Sequence, residues 1–214
     1  MRVISFCKIS GHSIVLDGER QPDLEGHLQG QLLSERFDNL FKVMHGDYPR
    51  FYRLDDYSKL GIIAAELILR KAGLDTVTPK PDMGIILHTR SGSLYADSMY
   101  AQTIQDILDF NPDPELFARI HSNAVCSDIA LRNNITGESA VFLSDGFNYE
   151  MFYRMGADVF ATDPDVKQLL MGYLECYGSY ASAFFCLVEK AMDDRPEDYE
   201  LRQERFFIEL LRIY

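Results

Sequence analysis

The chain has 214 residues and a formal net charge of −12. A chain of this length can bury about 70% of its unfolded surface, and its 47% hydrophobic and 12% aromatic content is ordinary for a folded globular protein. The excess of acidic residues excludes non-specific nucleic-acid binding, because contacts to phosphates are built from clustered Lys and Arg.

The four cysteines, Cys7, Cys126, Cys176 and Cys186, form no C-x-x-C pair and show no metal-ligand spacing with the five histidines. We therefore expect free, buried thiols in a reducing compartment, with no metal and no other cofactor. The N-terminus lacks the apolar core and cleavage site of a signal peptide, and no stretch approaches the about 20 apolar residues of a membrane span. The expected location is the cytoplasm.

Two strands are predicted at the start of the chain. Residues 2–9, RVISFCKI, are β-branched and apolar, and HSIVLDG from His12 is a second short strand or hairpin arm. The polar stretch 19–50 contains one helical patch, LLSERFDNLFKVM, whose apolar residues fall on one face. We expect this stretch to be an insertion or an excursion.

The clearest helix carries YSKLGIIAAELILRKA, with Asp55 and Asp56 at its start and Gly73 as the glycine that closes it. It is apolar over most of its circumference, which predicts burial on more than one side. The continuous apolar run DMGIILHT, residues 82–89, is typical of a strand in a sheet covered on both faces.

The remaining elements continue the alternation of strand and helix. We predict helix YADSMYAQTIQDIL from Tyr95, helix NAVCSDIALRNN from Asn123, strand SAVFL, helix FNYEMFYRMG from Phe147, strands KQLLMGYLEC and SAFFCLVEK, and a terminal helix LRQERFFIELLRIY. This order predicts an α/β fold with a layered mixed sheet and helices on both faces. No repeat, charge block or linker appears, so residues 1–214 are expected to form a single domain.

Five segments between residues 50 and 192 resemble, in order, the N-terminal half of the β-ketoacyl synthases, which have the thiolase-like fold. The segments are RLDDYSKLGIIAAELILRKAGLD, DMGIILHTRSGSL, NAVCSDIALRNNITGES, VKQLLMGYLE and SAFFCLVEKA. The third is similar to the family's P-N-x-x-x-G-x-I-A-x-x-x-x-x-x-G-P pattern, with Asn123, Ile129, Ala130 and Gly137 at the expected spacing. The resemblance implies a thiolase-like half and a role in fatty-acid or polyketide-type acyl metabolism.

The resemblance also indicates where the family's nucleophile would lie. That chemistry needs a cysteine thiolate after a buried strand and at the N-terminus of a helix, which lowers the thiol pKa. An ungapped count from Gly137 aligns the family's G-P-N-L-T-V-S-T-A-C with GESAVFLSDG, so the nucleophile position is Gly146. Ser144 is the only nearby nucleophile.

The family's two catalytic histidines come from its C-terminal half, which has no counterpart in this sequence. His88 and His121 are the only histidines in the matched region, and a lone histidine is more often structural than catalytic. The resemblance therefore implies a protein that is not an enzyme. If Ser144, Asp145, His88 and His121 converged in a pocket, acyltransferase chemistry of the 3-oxoacyl-acyl-carrier-protein synthase type would gain support.

Without the second half, the helix that follows Gly146 is expected to expose apolar side chains, namely Phe147, Tyr149, Met151, Phe152 and Tyr153. The terminal segment 197–214 has an apolar stripe of its own and is able to fold back over that face. A partner protein or a second copy of the chain can serve instead.

The family's dimers pair antiparallel strands at a sheet edge, and the resemblance assigns that edge to the strand Ser139, Ala140, Val141, Phe142 and Leu143. The expected partners are a second copy or a ketosynthase, with an acyl carrier protein as a possible third. Docking of an acidic carrier protein would need a local basic patch, for which the candidates are Arg50, Arg53 and Lys59, or Lys167.

Three functions from different classes remain open. The favoured one is a non-catalytic ketosynthase-like partner or scaffold, because the nucleophile is missing while the fold is retained. The second is an acyl-transfer or condensing enzyme that a separate partner chain completes. The third is a binding module for a small ligand or another partner, since a fold by itself does not fix a function.

Overall fold

One seven-stranded sheet organises the part of the chain that the computed structural model describes, residues 1–30 and 32–190. Its strands are β1 (Arg2–Ser10), β2 (Ser13–Leu16), β3 (Glu19–Arg20), β4 (Met83–Thr89), β5 (Ser139–Leu143), β6 (Gln168–Tyr177) and β7 (Tyr180–Glu189). They lie in the order β3-β2-β1-β7-β6-β4-β5. β4 pairs in parallel with β5 and β6, whereas β7 is antiparallel to β6 and β1, so the sheet is mixed as predicted.

The helices connect and cover these strands. They are α1 (Pro22–Glu25), α2 (Leu33–Val43), α3 (Asp56–Lys71), α4 (Leu94–Ile104), α5 (Pro114–Phe117), α6 (Ala124–Asn133) and α7 (Tyr149–Thr162), with a 3-10 turn at Pro49–Arg53. The sequence missed α1, α5, the 3-10 turn and β3, because elements this short show no periodicity. The predicted terminal helix lies outside the described residues.

α3 is the central element of one face of the sheet. The side chain of Asp55 accepts from the Ser58 amide and starts the helix, and Gly73, at a φ of +75°, follows its end. Every residue from Tyr57 to Leu69 is buried, against the sheet on one side and α2 and α6 on the others. A Cβ on Gly61 would lie 2.5 Å from a Val125 methyl, so glycine is required for α3 and α6 to approach this closely.

α7 covers the opposite face of the described sheet. Phe152 and Tyr153 are buried there, so the prediction that both are exposed is wrong: α7 turns them towards the strands. Phe147 and Met151 are half-buried, and Tyr149 is exposed as expected. The outward side of α7 is polar, since the exposed residues Glu150, Arg154 and Asp158 recur every four positions.

A buried ionic cluster links α3 and α6 to the loop that follows α2. Glu66 is fully buried and accepts hydrogen bonds from Arg132 Nε at 2.5 Å and from Arg70. Arg132 also donates to the Asp47 carbonyl at 2.9 Å, and Arg70 donates to the Met44 carbonyl. Three charged groups thus connect α3, α6 and the loop after α2.

Removing the shared acid should destabilise the fold. In Glu66→Ala, Arg132 keeps a largely buried charge without its carboxylate, and we expect a loss of about 3–5 kcal/mol in the free energy of unfolding, measured by urea denaturation. The matched control is Glu115→Ala, which breaks the Arg53 pair whose two side chains are each 75% exposed, with an expected loss below about 1 kcal/mol. Equal losses of stability in the two variants would contradict the role of Glu66 as the partner of a buried charge.

Candidate functional site

The candidate site lies at the carboxyl ends of two parallel strands, β4 and β5. These strands end in register, with Thr89 opposite Leu143, and the Ser144 amide donates to the Thr89 carbonyl at 3.0 Å beyond the last pair. The chain then passes through Gly146 to the start of α7. This strand–turn–helix segment contains Gly146, the position that the family resemblance assigns to a nucleophile.

The backbone at Gly146 suits glycine and not a nucleophilic side chain. Its φ is +156°, a conformation that L side chains rarely adopt. A Cβ would have no heavy atom within 4 Å, so the obstacle is backbone strain and not lack of space. The Gly146 carbonyl accepts from Ser144 Oγ at 2.8 Å, which binds the Ser144 hydroxyl to the turn itself.

The N-terminus of α7 is capped from within the chain. Asn148 Oδ1 accepts from the Met151 amide at 2.9 Å, satisfying one of the donors that the first helical turn leaves free. The helix begins at Tyr149, three positions after Gly146. A thiolate at Gly146 would therefore lie before the helical turn whose amides lower a thiol pKa.

His88 is buried among aromatic rings on the α7 side of the sheet. Its ring centroid lies 5.6 Å from that of Phe142 and 5.5 Å from that of Phe152. Neither ring nitrogen has a hydrogen-bond partner within the described ranges, and desolvation lowers the pKa of His88 to about 4. The neutral ring therefore behaves as a core side chain whose polar atoms are unsatisfied.

The structure does not join the weak catalytic candidates into one group. His121 lies in the loop before α6 and packs edge-on against Phe117 at 6.3 Å, and Asp145 is exposed. Within residues 1–30 and 32–190, no hydrogen bond links His88, His121, Ser144 or Asp145 to another of the four. A nucleophile and a general base in contact are not present among them.

Glu175 at the carboxyl end of β6 is a residue to which the sequence assigned no role. Its largely buried carboxylate accepts from Thr89 Oγ1 at 3.2 Å, from the amide and hydroxyl of Ser91 at 3.1 and 2.5 Å, and from the Arg90 amide. These bonds fix the turn after β4. The sequence carries no local signal for them, because Glu175 and the turn are far apart in the chain.

The side chains predicted to form a basic patch are each paired with a carboxylate. The pairs are Arg50–Asp128 at 3.3 Å, Arg53–Glu115 at 3.1 Å, Lys59–Asp38 at 2.7 Å and Lys167–Asp82 at 3.4 Å. Lys59 is only 3% exposed because α3 carries it into the interior, so its prediction as part of a surface patch is wrong. The positive charge of these four side chains is locally neutralised.

All four cysteines are free and buried, as predicted. Burial raises the pKa of Cys126 to about 12 and raises the pKa of the other three thiols as well. In the described part of the chain, no group of three or more His, Cys, Asp or Glu side chains is arranged to hold a metal ion. No helix there is long and apolar enough to cross a membrane.

Solved structures share the fold of this chain at low sequence identity. The ishigamide ketosynthase/chain length factor matches with a TM-score of 0.65 at 15% identity, over 91% of this chain and 63% of that chain. A β-ketoacyl synthase from Burkholderia phymatum STM815 gives 0.65 at 13% identity, over 89% and 59%. A ketosynthase in complex with its chain length factor from Xenorhabdus doucetiae gives 0.54 at 14% identity, over 89% and 80%.

These matches confirm the predicted thiolase-like, ketosynthase-type fold. The chain spans less than two thirds of the length of the ishigamide and Burkholderia chains. No protein-family model matches this sequence, and no curated protein matches it either.

The unsatisfied ring of His88 predicts a pH-dependent stability. The pKa of His88 is about 4 in the folded state and about 6.5 in the unfolded state. The proton therefore binds the unfolded state more tightly, so the free energy of unfolding is highest above pH 6.5 and decreases as the pH falls towards 4. Urea unfolding should show His88→Leu to be at least as stable as the parent at pH 7. Between those two pH values the parent should lose about 1.4 kcal/mol per pH unit relative to the variant.

The exposed residue His27 provides the control, as His27→Gln tests whether the loss of any histidine has the same effect. Parallel pH profiles for the parent protein and His88→Leu would disprove the assigned environment of His88.

Proposed function

We propose that this chain is a non-catalytic ketosynthase-like partner, a single domain that assembles with a catalytic ketosynthase of fatty-acid or polyketide-type acyl metabolism. The observation that carries the proposal is the conformation of Gly146, together with the capped start of α7. The nucleophile position that we assign then has no side chain, and the Met151 amide at the start of α7 is already bonded to Asn148. The four free, buried cysteines agree with a cytoplasmic location.

The fold neighbours support a partner role. Two of them are a ketosynthase/chain length factor and a ketosynthase in complex with its chain length factor, and another is an acyl-carrier protein in complex with its ketosynthase. We assign the ketosynthase as the partner of this chain. A direct contact with a carrier protein is the weaker part of the proposal, because the candidate cations are paired with carboxylates.

The edge strand β5 is the interface that we propose for this partner, with residues Ser139 to Leu143. β5 lies at the end of the sheet and pairs only with β4, which leaves one row of its backbone groups open. The Glu138 carbonyl and the Ser144 amide bond to β4, so alternation directs the backbone of Val141 outwards. Leu143 is also exposed at the same edge.

The acyl-transfer test is direct. After incubation with acyl-thioester and malonyl donors, mass spectrometry of the purified chain should show neither an acylated protein nor a condensed product. Gly146→Cys should remain unacylated too, with an alkylation profile that gives an ordinary thiol pKa of about 8.5, because the thiol precedes the helical turn.

Asp145→Cys is the matched control, since it places a thiol at an exposed neighbouring position and should alkylate with the same pH dependence. Stoichiometric acylation of the parent protein would overturn the proposal and favour an enzyme completed by a partner chain.

The interface test removes one outward backbone donor. Val141→Pro deletes an N–H that β4 does not use, so the fold should persist while pairing at the edge is lost. Val141→Ala is the control that shortens the side chain and keeps the N–H. Affinity capture from the native cell should recover a ketosynthase with the parent and with Val141→Ala, but at least about tenfold less with Val141→Pro.

Sedimentation of the purified variants distinguishes a second copy from a ketosynthase as the partner. Equal ketosynthase recovery by all three proteins would reject the β5 interface.

A further inference from the structure

A groove lined by arginines lies between the 3-10 turn, α5 and α6. It consists of two adjoining cavities of about 430 and about 270 Å³, and both are lined by Arg50, Ala118 and Arg119. Arg53 also lines the wider cavity, and His121 also lines the narrower one. The groove thus concentrates basic side chains in a chain whose net charge is −12.

A buried carboxylate holds two of these arginines in place. The side chain of Asp128, on α6, is 2% exposed, and its two oxygens lie 2.5 Å from Arg119 Nη1 and 3.3 Å from Arg50 Nη2. One negative charge therefore serves two guanidinium groups. The other pair that lines the groove, Arg53 with Glu115, is neutral. Three arginines against two carboxylates leave the groove with an excess positive charge.

The two guanidinium groups on Asp128 keep donors for a ligand. A guanidinium carries five N–H donors, and the contacts to Asp128 use one terminal nitrogen of Arg50 and one of Arg119. The side chain of Arg50 is 52% exposed and lines both cavities. Asn123 and Ser127 line the narrower cavity and add an amide and a hydroxyl. An excess positive charge with several donors suits an anion that carries several acceptor oxygens.

We propose that this groove binds a phosphate group, with the guanidinium groups of Arg50 and Arg119 as its main donors. The planar fork of an arginine matches two phosphate oxygens, and a phosphate group carries three acceptor oxygens and nearly two charges at neutral pH. The wider cavity also has the apolar side chains of Leu54, Pro114 and Ala118, which suit an organic substituent. The phosphate is therefore either free or carried by an organic molecule.

The inference goes beyond the proposed function and does not depend on it. The groove uses no residue of the β5 edge, and phosphate binding is measured on the purified chain without a ketosynthase.

Calorimetric titration of the purified chain tests the site. At a constant ionic strength of about 0.15 M, inorganic phosphate and phenyl phosphate should each bind saturably in a one-to-one ratio. Acetate, which carries a single charge, should bind at least about tenfold more weakly. Tighter binding of phenyl phosphate would show that the site takes an organic phosphate, and equal binding of the two probes would show that it takes free phosphate.

Two substitutions should weaken phosphate binding and keep the fold. Arg50→Gln removes one guanidinium, while Arg119 still neutralises Asp128. Asn123→Asp adds a negative charge to the narrower cavity, and Asp is a favourable residue at the start of a helix. Each should raise the dissociation constant for phosphate at least about tenfold. Arg154→Gln, at a side chain of α7 that is 73% exposed and outside both cavities, is the matched control and should leave the dissociation constant unchanged.

Three results would overturn the inference. The absence of saturable binding by either phosphate probe would show that the groove is not a phosphate site. An unchanged dissociation constant in the groove variants that keep their circular-dichroism spectrum would put the phosphate elsewhere on the molecule. An equal loss of affinity in Arg154→Gln would show that phosphate responds only to the overall charge of the chain.

Discussion

The burial of α3 on all sides is the constraint on which the rest of the structure depends. From Tyr57 to Leu69 no residue faces solvent, so the helix needs a complete shell: the sheet below it, α6 at Gly61, and α2 above. The shell must also neutralise two charges that α3 carries inwards, Lys59 and Glu66, because an unpaired buried charge is strongly unfavourable. Asp38 pairs with the first of these charges, and Arg132 with Arg70 pairs with the second.

This requirement explains why the polar stretch 19–50 is part of the core and not a surface insertion. α2 supplies Phe37, Leu40 and Phe41 to the buried cluster, and the Phe41 ring stacks on Phe51 with centroids 3.8 Å apart. The α3 side of the sheet is thereby closed by the chain itself. The edge of β5 stays open in the described sheet, and the interface that we propose for a partner lies there.

The strand–turn–helix segment after β5 is closed by short-range hydrogen bonds. Ser144 bonds to the Gly146 carbonyl, and Asn148 caps α7. A site prepared for an anionic nucleophile needs free donors aimed at one point, whereas here the Ser144 hydroxyl and the Met151 amide are bonded within the segment. The loss of catalysis that we propose is thus a property of backbone geometry as well as of one missing side chain, and it separates the fold of this chain from the chemistry of its structural neighbours.

The sequence by itself determined the long elements and their order, since the periodicity of α3, the apolar runs of β4 and β6 and the turn glycines are local signals. Through the family resemblance it also predicted that the nucleophile position is Gly146. Only the tertiary structure decided that Phe152 and Tyr153 are buried, that Lys59 is an interior residue and that Glu175 fixes the turn after β4. Those outcomes depend on contacts between segments far apart in the chain, for which local residue patterns carry no information.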